Sequence, residues 1–295
     1  MNLLLREVGR ATVRLAEAGV PSPRYDAEEL AAVIHGVDRG QLHRVPDGEF
    51  DARFWAAIAR REAREPLQHI TGRAAFRYIE LAVGPGVFVP RPETEVVAGW
   101  AIDMLHARSL AAPVVVDLCT GSGAIALAIA DEVPAAQVHA VELDEKAFGW
   151  ALRNAEGSGV RLYQGDMAGA VPELDGTVDL VIANPPYIPL EAWESVDVEV
   201  RDHDPSLALW SGEDGLDAIR VVERTGRRLL KAGGFAVVEH ADVQGRLAPG
   251  VFHAAGGWTE VADHRDLAGR DRFVTARRVL PGPHDGPHHQ EGFRP

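Results

Sequence analysis

Four consecutive residues, Asn184-Pro185-Pro186-Tyr187, follow a β-rich run and combine an amide, two locked backbone positions and an aromatic ring. The prolines fix the chain and remove two N–H donors, which leaves the Pro185 carbonyl and the Asn184 amide oxygen as rigid acceptors. Two such acceptors suit a planar NH2 group. The nitrogen of an amide or aromatic amine is a poor nucleophile because its lone pair is delocalised. Holding both N–H bonds at fixed acceptors directs that lone pair out of the conjugated plane, along the line a methyl group must travel, so that positioning supplies most of the catalysis. No strong base is required beforehand, since the proton can leave once the nitrogen is cationic. Tyr187 adds an aromatic face for the planar group. Asn184, Pro185 and Tyr187 are therefore the expected catalytic residues, and together with Pro186 they are the expected substrate contacts.

A second constellation lies upstream. Asp117-Leu118-Cys119-Thr120-Gly121-Ser122-Gly123 joins a β-rich run to a helical one. Glycines at such a turn let backbone approach a ligand, and the helix that follows points its free N–H groups at the same place. Taken alone, Gly121-x-Gly123-x-x-Ala126 also satisfies the dinucleotide fingerprint, so a nicotinamide cofactor stays open at this point. Glu142 follows the next strand, where a carboxylate can accept from two ribose hydroxyls. Asp166 can accept from an adenine amino group while Met167 covers the ring. Asp117, Thr120, Gly121, Ser122, Gly123, Glu142, Asp166, Met167 and Asn184 are thus the expected cofactor-binding set. Arg91, Glu93 and Glu95 read equally as a cover over the site and as an ion-paired cluster at a helix start. Glu239 and His240 end a strand on the crevice side and read as structural hydrogen-bonding groups rather than proton carriers. The tryptophans read as packing, with Trp100 the one near enough in sequence to approach a cofactor.

The elements that must position these residues fall into two kinds. Residues 1 to about 72 carry helical periodicity: Met1 to Gly19, then a helix opened by Ser22 and Pro23, then Phe50 to Glu65 ending before Pro66. A hairpin connector follows over residues 75–91, its apolar residues interrupted by Gly84-Pro85-Gly86. After Pro92, short apolar strands (Val114 to Leu118, Gln137 to Val141, Val160 to Tyr163, Val178 to Ala183, Phe235 to Glu239) alternate with helices, the signature of a mostly parallel, doubly wound α/β sheet covered on both faces. Ligands bind such sheets beyond the carboxyl ends of the strands, which is where both constellations sit. The expected organisation is a helical domain over 1–74, the connector over 75–91, the α/β domain over 92–280 and a flexible Pro/Gly/His tail over 281–295. That tail reads as solvated rather than metal-binding, in spite of His284, His288 and His289.

Composition narrows the function classes. The chain has 295 residues, 46% hydrophobic and 25% charged, which is ordinary for a folded protein and excludes disordered and collagenous classes. With 30 Lys and Arg against 44 Asp and Glu the formal charge is -14, so a nucleic-acid-binding face would have to be built against the overall field, and nucleic acid is a disfavoured partner. The one dense basic stretch is Arg60, Arg61, Arg64, Arg73 and Arg77. A single cysteine, Cys119, excludes an internal disulfide and a cysteine-ligated metal, and no metal is expected. No apolar run approaches the roughly 20 residues that span a bilayer, and the N-terminus lacks a signal peptide's regions. The expectation is a cytoplasmic monomer with no membrane partner.

The Asp117 to Gly123 turn with Glu142 resembles the cofactor half of a class I S-adenosylmethionine-dependent methyltransferase, and Asn184-Pro185-Pro186-Tyr187 resembles the motif of its amino-methylating members. A closer resemblance, spanning residues 1 to 278, is to the peptide chain release factor glutamine N5-methyltransferases. It rests on Glu65 to Gly72, on Val89-Pro90-Arg91-Pro92-Glu93-Thr94-Glu95, on Asn184 to Pro189, on Asp204 to Leu209 and on Asp266 to Arg272. The resemblance implies a seven-stranded class I sheet, S-adenosylmethionine as cofactor with S-adenosylhomocysteine as product, and the glutamine of the Gly-Gly-Gln motif of class 1 release factors as substrate. It places the methionine end of the cofactor at Thr120 to Gly123, the ribose at Glu142 and the adenine at Met167, and makes the helical domain a docking surface for the release factor. One departure is visible, since many members have glycine where Cys119 stands. The rival readings are a ribosomal-protein glutamine methyltransferase, an adenine or guanine amino methyltransferase on DNA or RNA, a nicotinamide oxidoreductase that leaves Asn184 to Tyr187 without a task, and a catalytically silent binding module.

Overall fold

The computed structural model describes residues 3–46 and 52–279, so the 281–295 tail and the first residues of the helix expected from Phe50 lie outside the described residues. Helices α1 (Leu3–Glu17), α2 (Pro23–His35), α3 (Ala52–Glu62) and α4 (Leu67–Thr71) come first. Apolar residues at positions 4, 8, 11 and 15 give α1 one buried face, which closes with Leu30, Phe54 and Ile58 on a core of their own. Pro23 occupies the first turn of α2, and Gly36 ends it in the left-handed conformation.

A two-stranded hairpin follows, β1 (Arg73–Phe76) and β2 (Ile79–Ala82), with Phe76 opposite Ile79. Its turn is Arg77-Tyr78, with Arg77 at φ 51°, and not the Gly84-Pro85-Gly86 segment that interrupts the apolar run in the sequence. That segment passes so close to α7 (Glu145–Asn154) that a Cβ on Gly84 would lie 2.6 Å from the Trp150 ring, which is its reason for glycine.

The rest alternates: α5 (Pro92–Arg108), β3 (Val114–Leu118), α6 (Ala124–Glu132), β4 (Gln137–Glu142), then α7, β5 (Arg161–Gln164), β6 (Val178–Ala183), α8 (Val198–His203), α9 (Asp217–Leu229), β7 (Leu230–Glu239), α10 (Leu247–Ala255), β8 (Trp258–Arg265) and β9 (Asp271–Arg278). The sheet order is β5-β4-β3-β6-β7-β9-β8, parallel from β5 through β7, with β9 antiparallel to both β7 and β8. Every residue of β6 is buried, because alternate side chains enter the two cores on either face of the sheet: Leu180 and Ile182 pack with α5 and α6, Val181 and Ala183 with α9 and α10.

This order decides where a ligand can sit. The chain runs outward from β3 to β4 and β5, then returns to the other side of β3 as β6, so the connections diverge above the β3–β6 pair and open a crevice there. Leu118 is registered with Ala183, which sets Cys119 and Asn184 side by side at the mouth. β8 was not legible as strand, because it alternates half-buried positions with charged and exposed ones.

Candidate active site

The turn after β3 is built by Asp117. Its Oδ2 accepts from Thr120 Oγ1 at 2.6 Å and from the Ala126 backbone N–H at 3.2 Å, so one fully buried carboxylate ties the turn to the first turn of α6. Burial pushes its pKa up to about 7, against the opposing pull of these two donors. The turn is left-handed at Cys119 (φ 62°), Gly121 (φ 58°) and Gly123 (φ 88°). Cys119 therefore holds a conformation that glycine adopts freely, the physical content of the family's preference at that position. Its thiol lies 3.5 Å from Met167 Sδ and is driven up in pKa by burial and then by the charge of Glu142.

Glu142 closes the turn from β4. Its Oε2 accepts from the Gly121 N–H and its Oε1 from the Asp144 N–H, both at 2.8 Å. Burial raises its pKa, although these backbone donors favour the charged form. Each carboxylate oxygen keeps a second lone pair for a ligand.

Asn184 stands at the end of β6, and its Nδ2 donates to Thr94 Oγ1 on α5 at 3.2 Å. Tyr187 donates its hydroxyl to Glu239 Oε1 at 3.3 Å, and its carbonyl accepts from Gln244 Nε2 at 3.0 Å. The chain beyond it is pinned by Ile188, which donates to the Leu209 carbonyl and accepts from the Ser211 N–H. Gly215 packs under this segment so tightly that a Cβ there would lie 2.4 Å from the Tyr187 carbonyl oxygen. Burial, and then the neighbouring Glu239, raises the pKa of the Tyr187 phenol.

These parts surround one cavity of about 590 Å3, inside the roughly 300–1,000 Å3 range of small-molecule sites. Thr120, Gly121, Ser122, Glu142, Asp166, Met167, Asn184, Pro186 and Tyr187 all line it. Asp117, Gly123 and Pro185 stand behind the wall, the first two shaping the turn and the third fixed between two residues that do face the cavity. Arg91 and Glu93 are on the wall and Glu95 is not; Arg91 lies over the Phe88 ring and pairs with Asp204 at 2.6 Å, and Asp204 is pushed by burial to about 6. Trp100 packs against Phe235, His264 and Phe273 inside the core, away from the cavity. The sequence reading passed over Thr94, Gln244 and Gly215, while Glu239, read as a structural hydrogen-bonding group, accepts from Tyr187. Only the Thr94 of the Arg91 to Glu95 stretch carried a local signal, through its place at a helix start.

The wall carries the carboxylates of Glu93, Glu142, Asp144, Asp166 and Glu239 against two arginines, Arg91 and Arg272, so it favours a cation. An ideal Cβ on Gly121 meets nothing within 4 Å, leaving the turn open to a ligand's approach. A carboxylate placed for ribose hydroxyls, apolar faces from Met167, Ile125 and Leu143, and a negative surround together fit S-adenosylmethionine, whose sulfonium is cationic. Among the described residues no cluster of His, Cys, Asp and Glu has the arrangement of a metal site, and no helix is long and apolar enough to cross a membrane. Each arginine of the basic stretch is engaged: Arg60 with Glu65, Arg61 with Asp26 and Glu199, Arg64 with Glu199, Arg73 with Glu29 and Arg77 with Glu132. That leaves little free positive charge for a phosphate backbone.

The sheet order and the cofactor cradle define a class I S-adenosylmethionine-dependent methyltransferase. Two family profiles match, the PrmC N-terminal domain over residues 8–72 and a methyltransferase domain over residues 115–203. A release factor glutamine methyltransferase of Streptomyces coelicolor is 67% identical, with the match covering 95% of this chain and 100% of that one. Another, from Mycolicibacterium smegmatis, is 47% identical over 95% of this chain and 99% of its own length. A 4-amino-L-phenylalanine/4-methylamino-L-phenylalanine methyltransferase of Streptomyces pristinaespiralis is 45% identical over 88% of this chain and 90% of its own. The chain belongs to the release factor glutamine methyltransferase family.

Proposed function

We propose that this protein transfers the methyl group of S-adenosylmethionine to the side-chain amide nitrogen of the glutamine in the Gly-Gly-Gln motif of class 1 peptide chain release factors, leaving N5-methylglutamine and S-adenosylhomocysteine. When bound, the cofactor supplies an electrophilic methyl carbon. Thr120, Gly121, Ser122 and Glu142 hold it, Met167 and Asp166 flank the adenine, and Asp117 and Gly123 keep the turn in shape. Asn184 Oδ1 and the Pro185 carbonyl accept the two N–H bonds of the glutamine amide, and Tyr187 and Pro186 form its platform. Fixing both N–H bonds directs the nitrogen lone pair at the methyl carbon, and the proton leaves once the nitrogen is cationic.

One observation carries this reading. Asn184 is tied by its Nδ2 alone, and among the described residues no donor is bonded to its Oδ1, on a wall shared with the Thr120 to Ser122 turn and Glu142. Residues 1–74 serve as the docking domain, 75–91 as its connector and 92–280 as the catalytic domain. We assign it as a monomer acting in the cytoplasm, where the release factor substrate works.

The test is transfer from labelled cofactor to purified release factor, with ribosomal protein and nucleic acid in parallel, and the modified residue mapped by mass spectrometry. Asn184→Ala is expected to lower kcat on the order of 100-fold or more, the scale of losing one positioned polar group, and to leave cofactor affinity unchanged. Label appearing on ribosomal protein or nucleic acid instead, or normal turnover by the variant, overturns the reading.

A further inference from the structure

Pro185 and Pro186 bring no N–H, so the run that carries Asn184 has few ways of being held in place. Among the described residues, the one backbone group of Pro185, Pro186 and Tyr187 that makes a hydrogen bond is the Tyr187 carbonyl, which accepts from Gln244 Nε2 at 3.0 Å. The sense of that bond is fixed by backbone. The Ala241 N–H can only donate, and it meets Gln244 Oε1 at 3.0 Å, so Nε2 is the end that faces the Tyr187 and Asp214 carbonyls.

Gln244 is held in turn by the end of β7. The Ala241 carbonyl accepts from the Gln244 N–H and from His240 Nδ1, both at 2.8 Å. A carbonyl can only accept, so Nδ1 carries a hydrogen. The other ring nitrogen, Nε2, lies 2.8 Å from Asp263 Oδ1 on β8, with β9 running between β8 and β7. The His240 ring is fully buried, and it cannot turn over without giving up both bonds.

We propose that His240 is a positioning residue for the transfer: bridging Asp263 and the Ala241 carbonyl, it fixes the turn that carries Gln244, and Gln244 holds the Tyr187 carbonyl so that Asn184 and Pro185 stay where the substrate nitrogen needs them. The proposal rests on the role given to Asn184 and Pro185 above. Neither His240 nor Gln244 lines the cavity, so neither touches the reacting atoms and the effect is on placement alone. A displacement of about 1 Å is enough to cost on the order of 100-fold in rate. The cofactor turn and Glu142 come from β3 and β4, so cofactor binding is untouched by this network.

Two substitutions separate the halves of the bridge. In His240→Asn the amide nitrogen stands where Nδ1 stood and can donate to the Ala241 carbonyl, whereas in His240→Gln it stands where Nε2 stood and reaches Asp263 alone. The chain has six glutamines, so the full-length protein labelled with amide-15N glutamine gives a short set of side-chain signals, in which Gln244 is assigned from Gln244→Met. The Gln244 amide hydrogens are expected to exchange slowly with solvent in the wild type and in His240→Asn, and fast in His240→Gln. With release factor as substrate, His240→Gln and Gln244→Met are expected to lower kcat about 10- to 100-fold, while His240→Asn stays within about threefold of the wild type, as do KM and cofactor affinity in all three. Should His240→Gln fail to fold, Asp263→Ala, at a half-buried position, leaves Nε2 without a partner and frees the ring to turn over. Faster Gln244 exchange and a kcat lower by about fivefold or more are then expected. Equal losses in His240→Asn and His240→Gln, a wild-type kcat in Gln244→Met, or Gln244 exchange that is indifferent to both position 240 and Asp263→Ala overturns the proposal. A wild type that methylates no release factor overturns instead the function proposed above, since the exchange pattern is read without turnover.

Discussion

Asp117 shows how one buried acid can shape a ligand turn without touching the cavity. Two donors reach its Oδ2, while its Oδ1 is buried without a partner. Its carboxyl, near 7 in the folded chain, lies well above the unfolded value of about 3.9. The unfolded state therefore releases the proton first, so the stability this group contributes is fully present below about pH 4 and is lost as pH rises through 7. Asp117→Asn, which keeps an acceptor and cannot ionise, is expected to gain on the wild type by up to a few kcal/mol between pH 4 and 7. Denaturant unfolding of both cofactor-free proteins across that range measures it, and a pH-independent difference contradicts the assignment. At this scale the turn, Glu142 and the Asn184 to Tyr187 run were all legible, because each announces itself within a few consecutive residues. Glu239 was legible as a strand-end acid on the crevice side, but its partner Tyr187 was not, since no local pattern records which distant residue such an acid meets.

Among the elements, the segment from Asn184 to Pro189 is held from behind by parts the chain reaches later. Gln244, itself 1% exposed, binds the Tyr187 carbonyl, and Gly215 leaves the room in which that carbonyl sits. Gly215→Ala places a methyl group 2.4 Å from that oxygen and 2.7 Å from Gln244 Nε2, in a backbone with φ 74° that disfavours any side chain. Relief requires the Asn184 to Pro189 segment to move. The expected outcome is a loss of about 1–3 kcal/mol of stability together with a loss of kcat that exceeds the loss of cofactor binding, measured by thermal unfolding, transfer assay and calorimetry. The strands Val114–Leu118 and Val178–Ala183 match their sequence-derived bounds because continuous β-branched runs are hard to mistake. The sequence left the position of the hairpin turn open, and although Gly84-Pro85-Gly86 is the stronger local turn signal, its glycines answer to Trp150 and Lys146.

Across the whole molecule, the helical unit is fastened to the catalytic one by charge. Arg61, 4% exposed on α3, donates to Asp26 on α2 at 2.7 Å and to Glu199 on α8 at 2.8 Å, and Arg64 donates to the same Glu199. Burial raises the Asp26 carboxyl in spite of Arg61, the mark of a pair whose desolvation is not fully repaid. Removing one partner is then worse than never having had the pair. Arg61→Ala is expected to cost about 3–5 kcal/mol, read as a drop in the denaturation midpoint, and a near-neutral result sinks this account of the joint. Because α8 follows the Asn184 to Pro189 segment and Val200 lines the cavity, the joint also links the helical unit to the cavity wall.

The sequence by itself determined the alternating sheet, the glycine turn, the acid after the second strand and the four-residue run that can orient an amide. Each of these is a local pattern, written in side-chain periodicity or in the backbone limits of glycine and proline. Only the tertiary structure decided that Thr94 would grip Asn184 from 90 positions away, that Glu239 would reach Tyr187 across 52 and Gln244 across 57. Those contacts exist because the chain returns past β3 to lay β6 beside it, and no spacing along the sequence records which strand ends that return brings together.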